Sequence, residues 1–292
     1  MAQSVGILSA GDMGAAIGAA LARNGVDVAT SLDGRSDLTR LRAAEAGIRD
    51  AGGVHALVEQ CGILLSVLVP SEAVSVAERV AGAMASTGAR PVFVECNAIA
   101  PQTVQRIATL ILDTGAPIID AGIIGAPPGP GARTTLYCSG PDTSAFELLG
   151  EHGLDIRNVG PGIGQASGLK MVYAASTKGT TAVWTELLVA AEAMGLRDAL
   201  LAEFGDAPDA ARRMKGATEM PRRARRWVGE MEEIAATFEH LGLTPKILQG
   251  AADMFRLVGD TPLADQTSRE PDPELSAMLR ALAQHAAGAE RH

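Results

Sequence analysis

Apolar positions in the first half of the chain fall in short runs: SVGILS (4–9), DVATSL (27–32), GILLSVLV (62–69), RPVFVEC (90–96), APIIDAGII (116–124) and TLYCSG (135–140). Between several of them the spacing lengthens to that of helices, as in DMGAAIGAALARNG, LTRLRAAEAG, AERVAGAMASTG and APQTVQRIATLILDTG. Short apolar runs alternating with helical segments predict an α/β fold in which strands feed crossover helices, and hence an N-terminal parallel sheet of Rossmann type. After Gly164 the strand-like runs stop, and helical spacing continues over 166–194, 207–220, 222–241 and 244–258. The pattern predicts a sheet domain over 1–162 and an all-helical C-terminal domain over 163–292, joined by one long interdomain helix. Gly and Pro punctuate the boundary at NVGPGIG. Beyond the loop TSREPDPE, Leu275, Met278, Leu279, Leu282, Ala283 and Ala286 repeat at helical spacing, so the last helix carries an apolar face. A thin helical half with such a face does not cover its own apolar surface, which predicts a homodimer.

Composition narrows what this architecture can do. Of 292 residues, 47% are hydrophobic but only 3% aromatic, so the core is built mainly from Ala, Val, Leu and Ile. A net charge of −9 argues against nucleic acid as a partner, because that role needs a basic face. No run is long and apolar enough to span a bilayer, and MAQSVGILSAG has no basic segment ahead of its apolar run. Both features predict a cytoplasmic protein without a membrane partner. Cys61, Cys96 and Cys138 lack CxxC spacing and fit reduced thiols in a core, while the five histidines lack the HxH or HExxH spacing of a zinc site.

Candidate chemistry begins at Ser9-Ala10-Gly11-Asp12-Met13-Gly14, a glycine turn between the first strand and the first helix. In that setting Gly11 lets the backbone approach a pyrophosphate, Gly14 lets the helix pack on the strand, and the amides at the helix start face the phosphates of a dinucleotide. Ser9 stands where the first glycine of the fingerprint belongs. Ser31 and Asp33 fall at the end of the second strand, where an acid would hold the ribose of NAD. Arg35 and Ser36 follow at once, with Arg40 further on, and a guanidinium beside a hydroxyl suits a 2′-phosphate. This reading favours NADP over NAD; an arginine solvated at a loop tip is the alternative.

Taken in order, the glycine turn, LLSVLVP (64–70), ECNAIAP (95–101), DAGIIG (120–125) and GIGQASGLK (162–170) make the whole chain resemble the β-hydroxyacid dehydrogenases. These are relatives of 6-phosphogluconate dehydrogenase, and imine reductases share the architecture. GLKMVYAASTKG and RRARRWVGEMEEIA resemble the branch that carries a DUF1932 domain. The resemblance implies that Lys170, at the start of the long helix, is the general acid/base on a substrate hydroxyl or carbonyl. An amine in a mostly apolar cleft has its charged form disfavoured, which brings its pKa toward the range useful for proton transfer. Tyr173 is a second candidate proton donor. The resemblance also puts Leu68, Val69 and Pro70 in the loop beside the ribose and nicotinamide, Asn97 in the next cofactor loop, and Gly122, Ile123 and Ile124 at the substrate.

Departures from the family pattern carry information too. Ile124 aligns with a Ser and Ala174 with an Asn that the family uses to hold a small carboxylate, and Gly229-Glu230 falls where the family has a Lys-Asp pair. Recognition of a small β-hydroxy acid is thereby weakened. Helical spacing would place Lys170, Tyr173, Ala174, Thr177, Lys178 and Thr181 on one broad face. Lys178 then lies about 12 Å along the axis from Lys170, at the far end of a substrate pocket or at a dimer interface. Trp227 and Met231 are further pocket candidates beside the basic run Arg222–Arg226, which also fits a solvated helix turn.

These residues predict an NADP-dependent oxidoreductase that moves a hydride between nicotinamide and the carbonyl or alcohol carbon of a small molecule, with Lys170 handling the proton. An imine reductase on the same architecture, and a sensor that binds NADP without turnover, are the alternatives.

Overall fold

In the computed structural model, which describes residues 4–267 and 270–289, the apolar runs of the first half become strands. They are β1 (Ser4–Ile7), β2 (Asp27–Thr30), β4 (Ile63–Ser66), β5 (Val92–Glu95), β6 (Ile118–Gly125) and β7 (Thr134–Ser139), and two short strands outside those runs, β3 (Arg49–Asp50) and β8 (Asp155–Asn158), join them. Between them lie α1 (Asp12–Arg23), α2 (Asp37–Glu45), α3 (Val54–Gln60), α4 (Ala73–Thr87), α5 (Pro101–Leu112) and α6 (Ser144–Glu147). One sheet results, in the order β3-β2-β1-β4-β5-β6-β7-β8. Side chains alternate between its faces: Val5, Ile7, Ile63 and Leu65 pack with Ile17 and Leu21 of α1, while Leu64 and Phe93 pack with Leu57, Val80 and Ile107 of α3, α4 and α5. Coverage on both sides is why the central strands read as unbroken apolar runs.

The sheet is parallel from β3 to β6 and then reverses. β7 returns antiparallel to β6, and β8 lies parallel to β7, so the expected Rossmann-type parallel sheet is extended at this edge by an antiparallel pairing. β3 and β8 carry no apolar signal because they are the two edge strands. The first has two exposed residues and the second, DIRN, is mostly exposed.

Two compact units make up the chain, Met1–Met171 and Val172–His292, with the division inside α7 (Gln165–Ala174). The second contains α8 (Thr180–Ala193), α9 (Arg197–Phe204), α10 (Pro208–Glu219), α11 (Ala224–His240), α12 (Lys246–Gly259) and α13 (Leu275–Ala289). Met231 and Ile234 of α11 are buried with Phe255 and Val258 of α12. α9 was not picked out in the sequence: it is a short helix with no fully buried residue, and only Leu200, Leu201 and Phe204 mark its inner edge, where Phe204 packs on Trp184.

Two expectations about the helices need correction. The apolar face of the last helix does not await a partner, since α13 packs on α8 and its Met278, Leu279 and Leu282 are fully buried in their own unit. Nor does helical spacing run undisturbed through the long helix, because Ala175–Gly179 forms a π turn between α7 and α8. Such a turn takes in one residue more than an α turn. The face drawn from Lys170 through Ala174 therefore does not continue in phase to Lys178 and Thr181.

Candidate active site

β1 ends at Ile7, and a four-residue turn delivers the chain to α1. Gly14 sits where that helix crosses the turn: a Cβ there would lie 2.1 Å from the Ser9 carbonyl oxygen and 3.2 Å from Ile7 Cγ2. Only glycine permits this approach. Gly11 is the N-cap, and no side chain caps the helix start. A Cβ on Gly11 would meet nothing within 4 Å, so the space in front of the helix start is open. An open helix N-terminus with positive dipole character suits a phosphate. Asp12, whose charge would oppose one, is ion-paired with Arg42 at 2.6 Å. Ala10 is buried in the core and Met13 packs against it.

A cleft of about 380 Å³ continues from this turn along Leu8, Ser31, Asp33, Gly34, Arg35, Val76 and Arg79. Leu8, Val54, Val76 and Val80 give it an apolar side, and Arg35 and Arg79 supply positive charge beside the carboxylates of Asp33 and Glu72. Arg35 Nη2 donates to the Leu8 carbonyl at 3.1 Å, and Arg40 Nη2 to the Leu32 carbonyl at 2.7 Å. Ser36 is the N-cap of α2, accepting from Thr39 N at 3.3 Å. Arg79 escaped the sequence reading because it is one basic residue on a helix far from the glycine turn in the chain. The open helix start and this cleft fit a dinucleotide.

Loops after β4 and β5 are tied by Asn97, which is buried. Its backbone N donates to Glu95 Oε1 at 2.9 Å, its Nδ2 to Ser66 Oγ at 2.9 Å, and its Oδ1 accepts from Leu68 N. The side chain of Asn97 thus shapes the loop of Leu68, exposed Val69 and Pro70, which opens a 3₁₀ turn. Glu95 itself is fully buried and its Oε2 has no hydrogen-bond partner. Burial pushes its carboxyl up to about 8, against the hydrogen bond from Asn97 N, so it is protonated at neutral pH.

Asp120, opposite Glu95 in the β5–β6 register, is the second buried carboxyl. Its Oδ2 accepts from Gly164 N at 2.9 Å, Ser167 N at 3.0 Å and Ser139 Oγ at 3.1 Å, and its Oδ1 from Ser167 Oγ at 2.5 Å. Burial raises its carboxyl above the usual range while the bonds from Ser167, Ser139 and Gly164 pull the other way. Ser139 Oγ in turn accepts from Ala166 N at 3.0 Å. Three residues beyond Asp120 on β6, the Ile123 carbonyl accepts from Lys170 Nζ at 2.6 Å. Gly122 lets α7 lie on the strand, since a Cβ there would be 2.7 Å from Ala166 O and 3.0 Å from Lys170 Cβ. Lys170 is half-buried, and Ile124, which follows Ile123 on the strand, is partly exposed. A polar residue inside an apolar strand run, Ser66 in ILLSV, Glu95 in VFVEC and Asp120 in PIIDAG, is the signal that would have found these groups.

In the helical unit Tyr173 is exposed and Ala174 buried, and the Thr177 hydroxyl bonds back to the Tyr173 and Ala174 carbonyls. Lys178, carried on the π turn, pairs with Glu230 Oε2 at 2.8 Å, the two side chains being 12% and 11% exposed. Its ammonium also lies 5.3 Å from the centroid of Trp227, which stacks edge-on against Phe255. Met231 is fully buried. An anion seeking Lys178 would have to displace Glu230. No cluster of three or more His, Cys, Asp or Glu side chains suited to a metal occurs among the described residues.

Comparison with known proteins gives two family matches. Residues 4–151 match the NAD binding domain of 6-phosphogluconate dehydrogenase, and residues 191–258 match a domain of unknown function, DUF1932. A conserved protein of unknown function, whose solved structure was found similar to 3-hydroxyacid dehydrogenases, is 28% identical with a TM-score of 0.66, over 88% of this chain and 100% of that one. The 3-hydroxyisobutyrate dehydrogenase of Mycobacterium tuberculosis, solved with L-serine, shares the fold at 18% identity and a TM-score of 0.69, over 97% and 99% of the two chains. An uncharacterized 28.5 kDa protein of Methanothermus fervidus is 28% identical over 176 residues, which is 60% of this chain and 66% of that protein, just short of two thirds of its length.

Proposed function

We propose that this chain, which belongs to the family of the NAD binding domain of 6-phosphogluconate dehydrogenase, is an NADP-dependent oxidoreductase acting on a carbonyl or alcohol carbon, with Lys170 as its general acid/base. The observation that carries this reading is the bond from Lys170 Nζ to the Ile123 carbonyl, which holds a half-buried amine at the end of a strand of the dinucleotide-binding sheet. Ligands of open parallel sheets gather at such strand ends. When bound, NADP supplies or accepts the hydride. Gly11 and the amides that begin α1 would hold its phosphates, and Arg35, assisted by Arg79, would hold a 2′-phosphate. The ammonium of Lys170 gives a proton to an oxygen developing negative charge, or its neutral amine takes one from an alcohol. Asn97 and Ser66 keep the loop of Leu68 and Val69 in one shape, and that loop would help to orient the nicotinamide of a bound cofactor.

Ile124 and Ala174 offer no hydrogen bond to a carboxylate, which supports a substrate less polar than a small β-hydroxy acid. NADPH oxidation against a panel of aldehydes and ketones, and against ketones mixed with amines, separates carbonyl from imine reduction. Lys170→Met keeps the stem and removes the amine, and is expected to lower turnover by roughly 10²-fold with NADPH affinity unchanged. Near-native turnover in Lys170→Met, together with its loss in Tyr173→Phe, would transfer the proton to the phenol and favour the imine reductase.

A further inference from the structure

Four donors converge on one buried carboxylate in this molecule, and their arrangement has a direction. Asp120 stands on β6, Gly164 and Ser167 belong to the turn and first residues of α7, and Ser139 ends β7. All four groups point their hydrogens at Asp120, and Ser139 uses its remaining lone pair for Ala166 N, another amide at the start of the helix. The first turn of α7 is thereby stitched to two strands. At the other end of the same short span, Lys170 Nζ reaches back to Ile123 on the strand that carries Asp120. Between the two anchors Gly122 removes every side-chain atom that would hold helix and strand apart.

We infer that Asp120, seconded by Ser139 and Ser167, is a positioning residue for Lys170: it fixes the start of α7 on β6 and so sets where the amine sits. The inference rests on Lys170 as the proton-transfer group proposed above, but the placement it describes is a property of the folded chain and can be measured without a substrate. A carboxylate suits this task because every partner is a donor, and charge-assisted hydrogen bonds to backbone amides at a helix start are stronger than neutral ones. Side chains that orient a reacting group in this way hold it in the narrow geometry its chemistry needs.

The chain has only four lysines, Lys170, Lys178, Lys215 and Lys246, so each can be followed alone. Competitive acetylation of the intact protein by a trace of acetic anhydride, read by peptide mass spectrometry, gives a relative rate for every amine. Lys215, 74% exposed in its side chain, reports the open reference, and Lys178, in its ion pair with Glu230, reports general loosening. In Asp120→Ala the rate at Lys170 is expected to rise by roughly threefold or more, with Lys178 and Lys215 unchanged, as a local opening would give. Asp120→Asn, which retains one acceptor oxygen, is expected to restore part of the protection. Ser139→Ala removes two of the stitches and leaves the carboxylate paired, so it serves if Asp120→Ala does not fold, with a smaller rise confined to Lys170. An unchanged Lys170 rate in the folded variants overturns the inference, and so does a joint rise at Lys170 and Lys178. Failure of the proposed function would show elsewhere, as full turnover in Lys170→Met with the labelling pattern intact.

Discussion

Glu95 shows how much a single residue can bias the pH dependence of the fold. Its carboxyl sits at about 8 in the folded chain against an ordinary 4.5. The folded state therefore keeps a proton that the unfolded chain gives up, and the contribution to stability is full below pH 4.5, falls as pH rises, and is gone above about 8. Asp120, also raised by burial, adds a slope of the same sign. Replacing Glu95 by Gln keeps an oxygen for Asn97 N and removes the titration, so the melting temperature of Glu95→Gln is expected to fall less than that of the wild type across this window. Equal pH slopes in the two proteins would show that Glu95 titrates normally. Arg35 permits a parallel test of cofactor choice. Because Ser36 is occupied in capping α2, Arg35→Ala alone is the cleaner change. It is expected to raise the Michaelis constant for NADPH by roughly tenfold, in keeping with the loss of a charged hydrogen bond, and that for NADH far less. Steady-state kinetics with both cofactors checks this.

Among elements, the strand ends carry the candidate site, and this is also where reading the sequence succeeded and failed. Glycine spacing after an apolar run announced the turn from β1 to α1, because no other residue fits at Gly14. Lys170 was singled out only through its place in a family pattern, and the structure adds its bond to the Ile123 carbonyl. The Asp120 anchor was not, since its partners are separated by up to 47 residues and only the sheet brings them together. The π turn escaped as well, for nothing in ASTKG distinguishes it from a regular turn. Two glycines separate packing from binding at this scale. Gly122→Ala forces α7 off β6 and is expected to lower unfolding free energy by about 1–3 kcal/mol, as overpacking does. Gly11→Ala meets no protein atom, so it is expected to leave denaturant midpoints near those of the wild type while weakening NADPH binding measured by fluorescence titration. If the two variants exchange these effects, the assignment of open and closed glycines is wrong.

For the whole molecule, the structure moves the grounds for assembly from one place to another. α13 is covered within its own unit, so its apolar face gives no reason for a dimer. Leu241, Leu243 and Ile247, around the junction of α11 and α12, are each more than half exposed, as is Val183 on α8. We propose that these residues enter a homodimer interface. Sedimentation at micromolar concentration is expected to give twice the chain mass, and Ile247→Asp with Leu243→Asp to give the monomer. A monomeric wild type that binds NADPH normally would end this proposal. Among the described residues no helix is long and apolar enough to cross a membrane.

The π turn at Ala175–Gly179 has a consequence for how this chain should be aligned with its relatives. A π turn is a surplus of one residue lodged in a helix. Deletion, usually the harshest change a helix can suffer, is here the edit that restores regular winding, and it turns everything after it by about one residue's step around the axis. Removing Ser176 would thus leave the helix sound while re-aiming the side chains that follow, Lys178 among them. A relative with one residue fewer in this segment would be a differently wound helix rather than a damaged one. The length of the stretch is then the character to compare, ahead of the identity of any residue in it.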